Sequence, residues 1–449
     1  MANPKDSLFG LGLEEQRLLF SQLQTAGLME ENSSRTRSDV PVIPKRFASF
    51  EDMPEYKQLQ VHRVIVEKMR ILDPFFTCHQ TKAKGKTVID GEEFLNFSTY
   101  DYLGLNGHPE VNKCAKEAMD VFGTAAGASR VVAGGRPPHA DLEQARAEFY
   151  DVPGAVVFVT GHATNVSALS TLLGSRDAVY HDLLAHKSII LGAKLSGAAR
   201  YSYPHNDCEA LERLLEQTRA KHERVIIATE GLFSMDGSIV KLPELVALKK
   251  KYTCFLMLDE AHSLGVLGAT GRGTAEHFGI PSGEVDIWMG TLSKTLCSCG
   301  GFVAGCKALV ELLKFRAPGF VYSVGMPPPL AAASKKALEL LLMEPDRVQR
   351  LQHLSAFFLH QAKERGLNTG YAEGYAIVPV IVGNSLVAGG LASVMFKKKI
   401  NVLPIIYPVV EEGLARLRFF LSSEHNEKDI VTALVFLPKE LPKARKKNS

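Results

Sequence analysis

Lys294 lies in the segment TLSKTLCSCGG, 35 residues after Asp259 of DEAHSLG. A lysine among small residues can anchor an aldehyde-bearing cofactor through a Schiff base. An aspartate at the end of a buried strand can hold the cofactor's ring nitrogen protonated, and a cation there would offset the cost of burying the carboxylate. Each residue also has a plainer reading. A lysine on a short loop is ordinarily solvated, and an aspartate in that position also suits a helix N-cap. His262, three residues past Asp259, could donate to a ring hydroxyl or be a core histidine. His186 in HDLLAHKSII could stack flat on a ring, although a buried, satisfied histidine is the commoner outcome. Ser234 and Asp236 in EGLFSMDG sit on a loop that could equally be a simple turn. Gly161 and His162 of TGHATN open a helical run, where free N–H groups can take a phosphate, although any strand-to-helix turn favours glycine. Thr291, three residues before Lys294, could reach the same phosphate.

These residues need elements to bring them together. The apolar runs AVVFV (155–159), AVY (178–180), RVIIAT (224–229), CFLMLD (254–259), DIWMG (286–290) and GFVAG (301–305) read as strands. Helical segments such as CEALERLLEQTRA and PELVALKKKY fall between them. Alternating strand and helix predicts a mostly parallel sheet covered on both faces, wound by right-handed crossovers. In such sheets ligands collect at the carboxyl ends of the strands. The chain order glycine turn, histidine, serine, aspartate, histidine, lysine, each after a strand of one sheet, turns a set of ambiguous residues into a candidate pyridoxal phosphate (PLP) site.

Before this body, LFGLGLEEQRLLFSQLQ can form a short amphipathic helix, and NSSRTRSDVPVIP reads as a linker. Prolines 327–329 mark a break before the helical SKKALELLLM, and the last third suggests a smaller α+β domain. The expected division is 1–45 as helix and linker, 46–105 as an N-terminal segment, 106–330 as the large domain, and 331–449 as the small domain.

The 449 residues, 46% hydrophobic and 22% charged, allow a large buried core. A net charge of +3 gives no footing for nucleic acid or an anionic membrane. The basic run Lys439, Lys443, Arg445, Lys446 and Lys447 reads as a solvated tail. Seven cysteines without a CxxC pair indicate neither a disulfide framework nor a metal site. No stretch is long and apolar enough to span a bilayer, and no secretory leader is apparent, so a cytoplasmic setting is expected.

The motifs DYLGLNGHP, GASRVVAGGRPPHADLE, TGHATN, EGLFSMDG, DEAHSLGVLGATGRG, TLSKTLCSCGG, FVYSVGMPP and ARLRFFLSSEH together resemble the α-oxoamine synthases of PLP fold type I, over about residues 50–437. The resemblance implies an α/β large domain with a mostly parallel seven-stranded sheet between helices, plus a smaller α+β C-terminal domain. It implies a Schiff base at Lys294, Asp259 on the pyridine nitrogen, His262 on the ring hydroxyl and His186 stacked on the ring. Ser234 would help position the cofactor, with Gly161, His162 and Thr291 at its phosphate. Ser323 would reach the phosphate in a partner subunit, so a homodimer with shared sites is implied. ARLRFFL alternates, which puts Arg416 and Arg418 on one face of a strand; the resemblance, not the spacing, favours Arg418 for a substrate carboxylate. The implied reaction is the decarboxylative condensation of an amino acid with an acyl thioester, carried on CoA or an acyl-carrier protein. Tyr100 in STYDYLG stands where most of the family has asparagine, and resembles the serine palmitoyltransferase-like members. That departure points to an amino acid other than glycine. The N-terminal linker resembles those of oxoamine-synthase domains attached to polyketide synthases. A fold-type I aminotransferase, or a PLP-binding scaffold without turnover, would share much of this residue set.

Overall fold

In the computed structural model the described residues are Ser21, 43–68, 71 and 74–447. Most of the segment expected as an amphipathic helix and linker lies outside them. The described chain groups into two compact units. The larger comprises Cys78–Val380 and Arg418–Leu434. It opens with a hairpin, β1 (Lys86–Ile89) and β2 (Glu92–Asn96), paired antiparallel from Lys86↔Leu95 to Ile89↔Glu92. Asp90 and Gly91 make its two-residue turn with φ of 50° and 77°, the positive pair that a tight hairpin turn requires.

The main sheet has seven strands: β3 (Gly154–Phe158), β4 (Ala178–Asp182), β5 (Ala199–Tyr203), β6 (Val225–Glu230), β7 (Phe255–Asp259), β8 (Ile287–Thr291) and β9 (Gly301–Gly305). Their spatial order is β3-β9-β8-β7-β6-β4-β5. Pairs along β5-β4-β6-β7-β8 are parallel, and β9 runs antiparallel to both β8 and β3. Every residue of β4, β6, β8 and β9 is buried, as strands covered by helices on both faces should be. That burial is why they read as unbroken apolar runs in the sequence. One face of the sheet packs Val156, Phe158, Ile226, Met257 and Val303 against Leu169, Ile189 and Leu313 of the covering helices. At about 25 cal/mol per Å² of apolar area removed from water, this packing is the main source of the unit's stability.

β5 was not among the expected strands. It is the edge strand, its residues alternate between partly exposed and exposed before the buried Tyr203, and ARYSY carries no apolar run. The helix expected at SKKALELLLM starts earlier, spanning Pro328–Met343, so Pro328 and Pro329 form its first turn, where a missing N–H costs nothing, and only Pro327 precedes it.

The smaller unit comprises the described residues up to Thr77, Ile381–Leu417 and the chain from Val435. It contains a helix at Ser385–Lys397, capped by the Asn384 side chain. The strands β11 (Ile400–Asn401) and β12 (Pro404–Ile405) follow the helix. β10 (Ile377–Gly383) and β13 (Ala415–Phe420) run through both units. The basic run falls largely on a helix, Leu437–Lys447. Among the described residues no helix is long and apolar enough to cross a membrane. All seven cysteines are free.

Candidate active site

The strands β6, β7 and β8 end on Glu230, Asp259 and Thr291, and β4 leads into His186. The carboxyl ends of the parallel strands therefore deliver the candidate residues to one edge of the sheet. Asp259 is 3% exposed. Its Oδ2 accepts from the Asn165 amide at 2.8 Å and its Oδ1 from the Ala261 N–H at 2.9 Å. Both donors are neutral, so the negative charge is left for a cation to balance, as a protonated ring nitrogen would. Asn165 also donates to Ser188 Oγ at 2.9 Å, which ties the helix Gly161–Leu172 to the His186 turn.

His262 is buried, and its Nδ1 lies 2.6 Å from the Tyr102 hydroxyl. Burial pushes the tyrosine's ionisation up and holds the histidine well below its usual value, so both are neutral near pH 7. A neutral phenol can donate to Nδ1, and in that arrangement the hydrogen of His262 sits on Nε2, where it can meet an oxygen acceptor. His186 caps the helix Lys187–Ser196, with Nδ1 accepting from the Ser188 N–H at 3.3 Å and 2.6 Å from Ser188 Oγ. Desolvation of its ring lowers its pKa, against an opposing pull from Asp259.

Lys294 is partly buried, with Nζ 5.4 Å from the centroid of the Tyr100 ring. Burial lowers its pKa to about 8, while Asp259 and Glu230 pull the other way. A lysine tuned that low keeps a substantial neutral fraction near physiological pH, the form that attacks an aldehyde or takes up a proton. Tyr100 meets Phe420 edge to face at 4.8 Å and His262 at 5.8 Å. The Arg418 guanidinium lies 4.5 Å over Phe420, and its Nη1 donates to the Ser234 carbonyl at 3.0 Å. Its Nε is buried without a hydrogen-bond partner among the described residues. Arg416 turns its Nε to the Leu414 carbonyl.

The start of the helix Gly161–Leu172 meets the ends of β8 and β9. Thr160 caps the helix Gly161–Leu172, its hydroxyl taking the Ala163 N–H at 3.0 Å. A Cβ on Gly161 would lie 2.7 Å from Thr291 Oγ1, and one on Gly301 would lie 2.7 Å from the Cα of Gly161. Glycine is therefore required where β8, β9 and the helix start converge. Thr291 Oγ1 bonds the Gly300 carbonyl at 3.0 Å and Ser293 Oγ at 2.8 Å. Ser323 follows the short helix Pro318–Val321, between Tyr322 and Val324, and no hydrogen bond joins it to this cluster among the described residues.

The residue set fits pyridoxal phosphate. A buried carboxylate accepts hydrogen bonds only from neutral donors among the described residues, glycines line a helix N-terminus, and a lysine of lowered pKa lies within the carboxylate's field. Asn165, Tyr102 and Glu230 also belong to the site, although their residue types did not single them out. Asn165 closes the motif TGHATN, Tyr102 lies in DYLGLNGHP and Glu230 opens EGLFSMDG, but nothing within those motifs marked them individually.

Comparison with known proteins agrees with this geometry. Residues 92–436 match the family described as aminotransferase class I and II. The chain is 40% identical over 360 residues to 8-amino-7-oxononanoate synthase of Symbiobacterium thermophilum, an alignment covering 80% of this chain and 91% of that one. It is also 40% identical to the protein of that name from Methylococcus capsulatus, with 80% and 92% covered. Among solved structures, Sphingomonas wittichii serine palmitoyltransferase superposes with a TM-score of 0.81 at 28% identity, covering 88% of this chain and 98% of that one. The 8-amino-7-oxononanoate synthase of Francisella tularensis superposes with a TM-score of 0.69 at 29% identity, covering 78% and 99%. A serine palmitoyltransferase solved with PLP superposes at 0.82 with 28% identity, covering 87% and 98%. The chain belongs to the class I and II aminotransferase family, and within it to the PLP-dependent α-oxoamine synthases of fold type I.

Proposed function

We propose that this site joins the α-carbon of an amino acid other than glycine to the acyl group of a thioester carried on CoA or an acyl-carrier protein. The products are an α-aminoketone, carbon dioxide and the free thiol. PLP, when bound, supplies the electron sink that lets an α-carbon carry negative charge. Asp259, oriented by Asn165, keeps the ring nitrogen protonated. His262, with its hydrogen on Nε2, donates to the ring hydroxyl, and Tyr102 fixes its tautomer. His186 would lie against the face of the bound ring. Gly161, His162 and Thr291 hold the phosphate, and Ser234 helps position the cofactor. Lys294 would anchor the cofactor, and its neutral amine would be placed to take the α-proton. Arg418 receives the substrate carboxylate.

The carrying observation is that Arg418 and Tyr100 both pack on Phe420, while Tyr100 also meets Lys294 and His262. An amino acid held there has its carboxylate on a cation and its α-carbon within the lysine's neighbourhood. Mass spectrometry after incubation with amino acids and acyl thioesters tests the reaction. A new α-aminoketone with release of carbon dioxide is expected. A keto acid without a new carbon–carbon bond would instead establish the aminotransferase reading.

The protein acts as a homodimer in this reading. Support comes from the exposed Tyr322 and Val324 beside Val131 and Val132, on segments joined by the Gly325 N–H to Ala128 carbonyl bond at 2.9 Å. Ser323 sits in that surface and serves the other subunit's phosphate. Sedimentation should show a dimer, and mixing inactive Lys294→Ala with inactive Ser323→Trp chains should restore partial turnover. The setting is cytoplasmic, which cell fractionation checks.

A further inference from the structure

Glu230 ends β6 directly opposite Asp259 in the β6–β7 register. It is 2% exposed, and the roles proposed above leave it without one. Its Oε2 accepts the Ser234 N–H at 3.3 Å. Its Oε1 has no hydrogen-bond partner among the described residues. Ser234 in turn offers its carbonyl to Arg418 Nη1 at 3.0 Å. One carboxyl group therefore stands beside the residue that faces the ring nitrogen and bonds the residue that holds the carboxylate-binding arginine.

We propose that Glu230 is a positioning residue for substrate binding. It fixes the Ser234 turn, and through it the Arg418 guanidinium, at a set distance from Asp259. This rests on the reading of Arg418 as the carboxylate subsite. Two carboxylates on paired positions of neighbouring strands cannot both ionise cheaply in a buried place. Burial, reinforced by Asp259, raises Glu230 to about 8, so the proton stays on it near pH 7. The charged groups facing it are Asp259 from β7 and Lys294 from the turn after β8, and only the main chain of His186 comes near from the turn after β4. Above pH 8 the second negative charge loads the floor of the site and draws Lys294 toward its ammonium form.

The holoprotein tests this with L-alanine and L-alaninamide, and the same pair for L-serine, read by the absorbance change of bound PLP. Glu230→Ala should cut affinity for the acid about tenfold, the scale of one buried polar group left unpaired. Affinity for the amide, which offers Arg418 no carboxylate, should stay the same. A purely structural role would weaken both probes alike. Glu230→Gln keeps an oxygen for the Ser234 N–H, so it should restore acid affinity at pH 7 and hold it at pH 9, where the wild type declines. Unchanged acid-over-amide preference in Glu230→Ala at equal PLP content overturns the proposal. So does a Glu230→Gln protein that declines at pH 9 as the wild type does, the arm that decides if Glu230→Ala takes up no PLP. Wild-type absorbance that answers none of the probes faults the parent reading, and this inference falls with it.

Discussion

At the scale of single residues, environment separates groups that look alike in sequence. The chain has 52 lysines and arginines, and Lys294 differs by being lowered to about 8 through burial while two buried carboxylates pull against it. Only the neutral amine attacks an aldehyde. PLP added to the apoprotein should therefore produce visible absorbance at a rate that rises with pH and levels off above about 8. A rate still climbing steeply at pH 10 would mean that the lysine keeps its ordinary pKa. Lys294→Ala should bind PLP without that absorbance. The same contrast sets what could be read from sequence. Lys294, Asp259 and His262 were legible because each follows a strand in a fixed order. Asn165 and Glu230 were not. Asn165 meets Asp259 across 94 residues of chain, and Glu230 owes its character to a neighbour on the adjacent strand. Spacing along one chain carries neither fact.

At the scale of elements, the sheet explains both what was legible and what was missed. Six strands are apolar runs because helices cover them on both faces. The seventh, β5, is an edge whose alternating exposure resembles a loop in composition. The seven-strand count came from the family resemblance, and the register then decided which residues meet. Elements also set the tolerance of the glycine turn proposed to hold the phosphate. Gly161 lies where a Cβ would come within 2.7 Å of Thr291 Oγ1 and 2.9 Å of its Cβ, closer than real Cβ atoms pack. Thr291 is buried and its hydroxyl is held by three hydrogen bonds, so it cannot swing aside cheaply. Gly161→Ala should therefore weaken PLP binding about tenfold or more, since displacing Thr291 breaks bonds worth about 1 kcal/mol each. Equilibrium dialysis of PLP against the variant measures it. Undiminished affinity would show that the helix start moves freely relative to β8.

At the scale of the whole molecule, stability is a small difference between large terms, and one buried cation stands out against it. Arg146, on the helix Pro137–Phe149, has no exposed surface, and none of its three guanidinium nitrogens has a hydrogen-bond partner among the described residues. Its guanidinium carbon lies 5.4 Å from the Phe149 ring centroid and 5.3 Å from that of Phe302 on β9. Cation–π contact of this kind is worth up to about 2 kcal/mol when desolvated. Removing a charge from water without hydrogen bonds costs more, which is also why burial lowers this arginine's pKa to about 10. The balance favours an apolar side chain of similar size. Arg146→Leu should raise the urea midpoint of the holoprotein by the equivalent of about 1–2 kcal/mol, as replacing buried ions with well-packed apolar groups often does. Arg146→Lys keeps the charge, loses the planar stack on two rings and should lower the midpoint. A leucine variant less stable than the wild type would reverse the argument: the guanidinium would then be held by buried water, and its charge would be part of how this helix is fixed against the sheet.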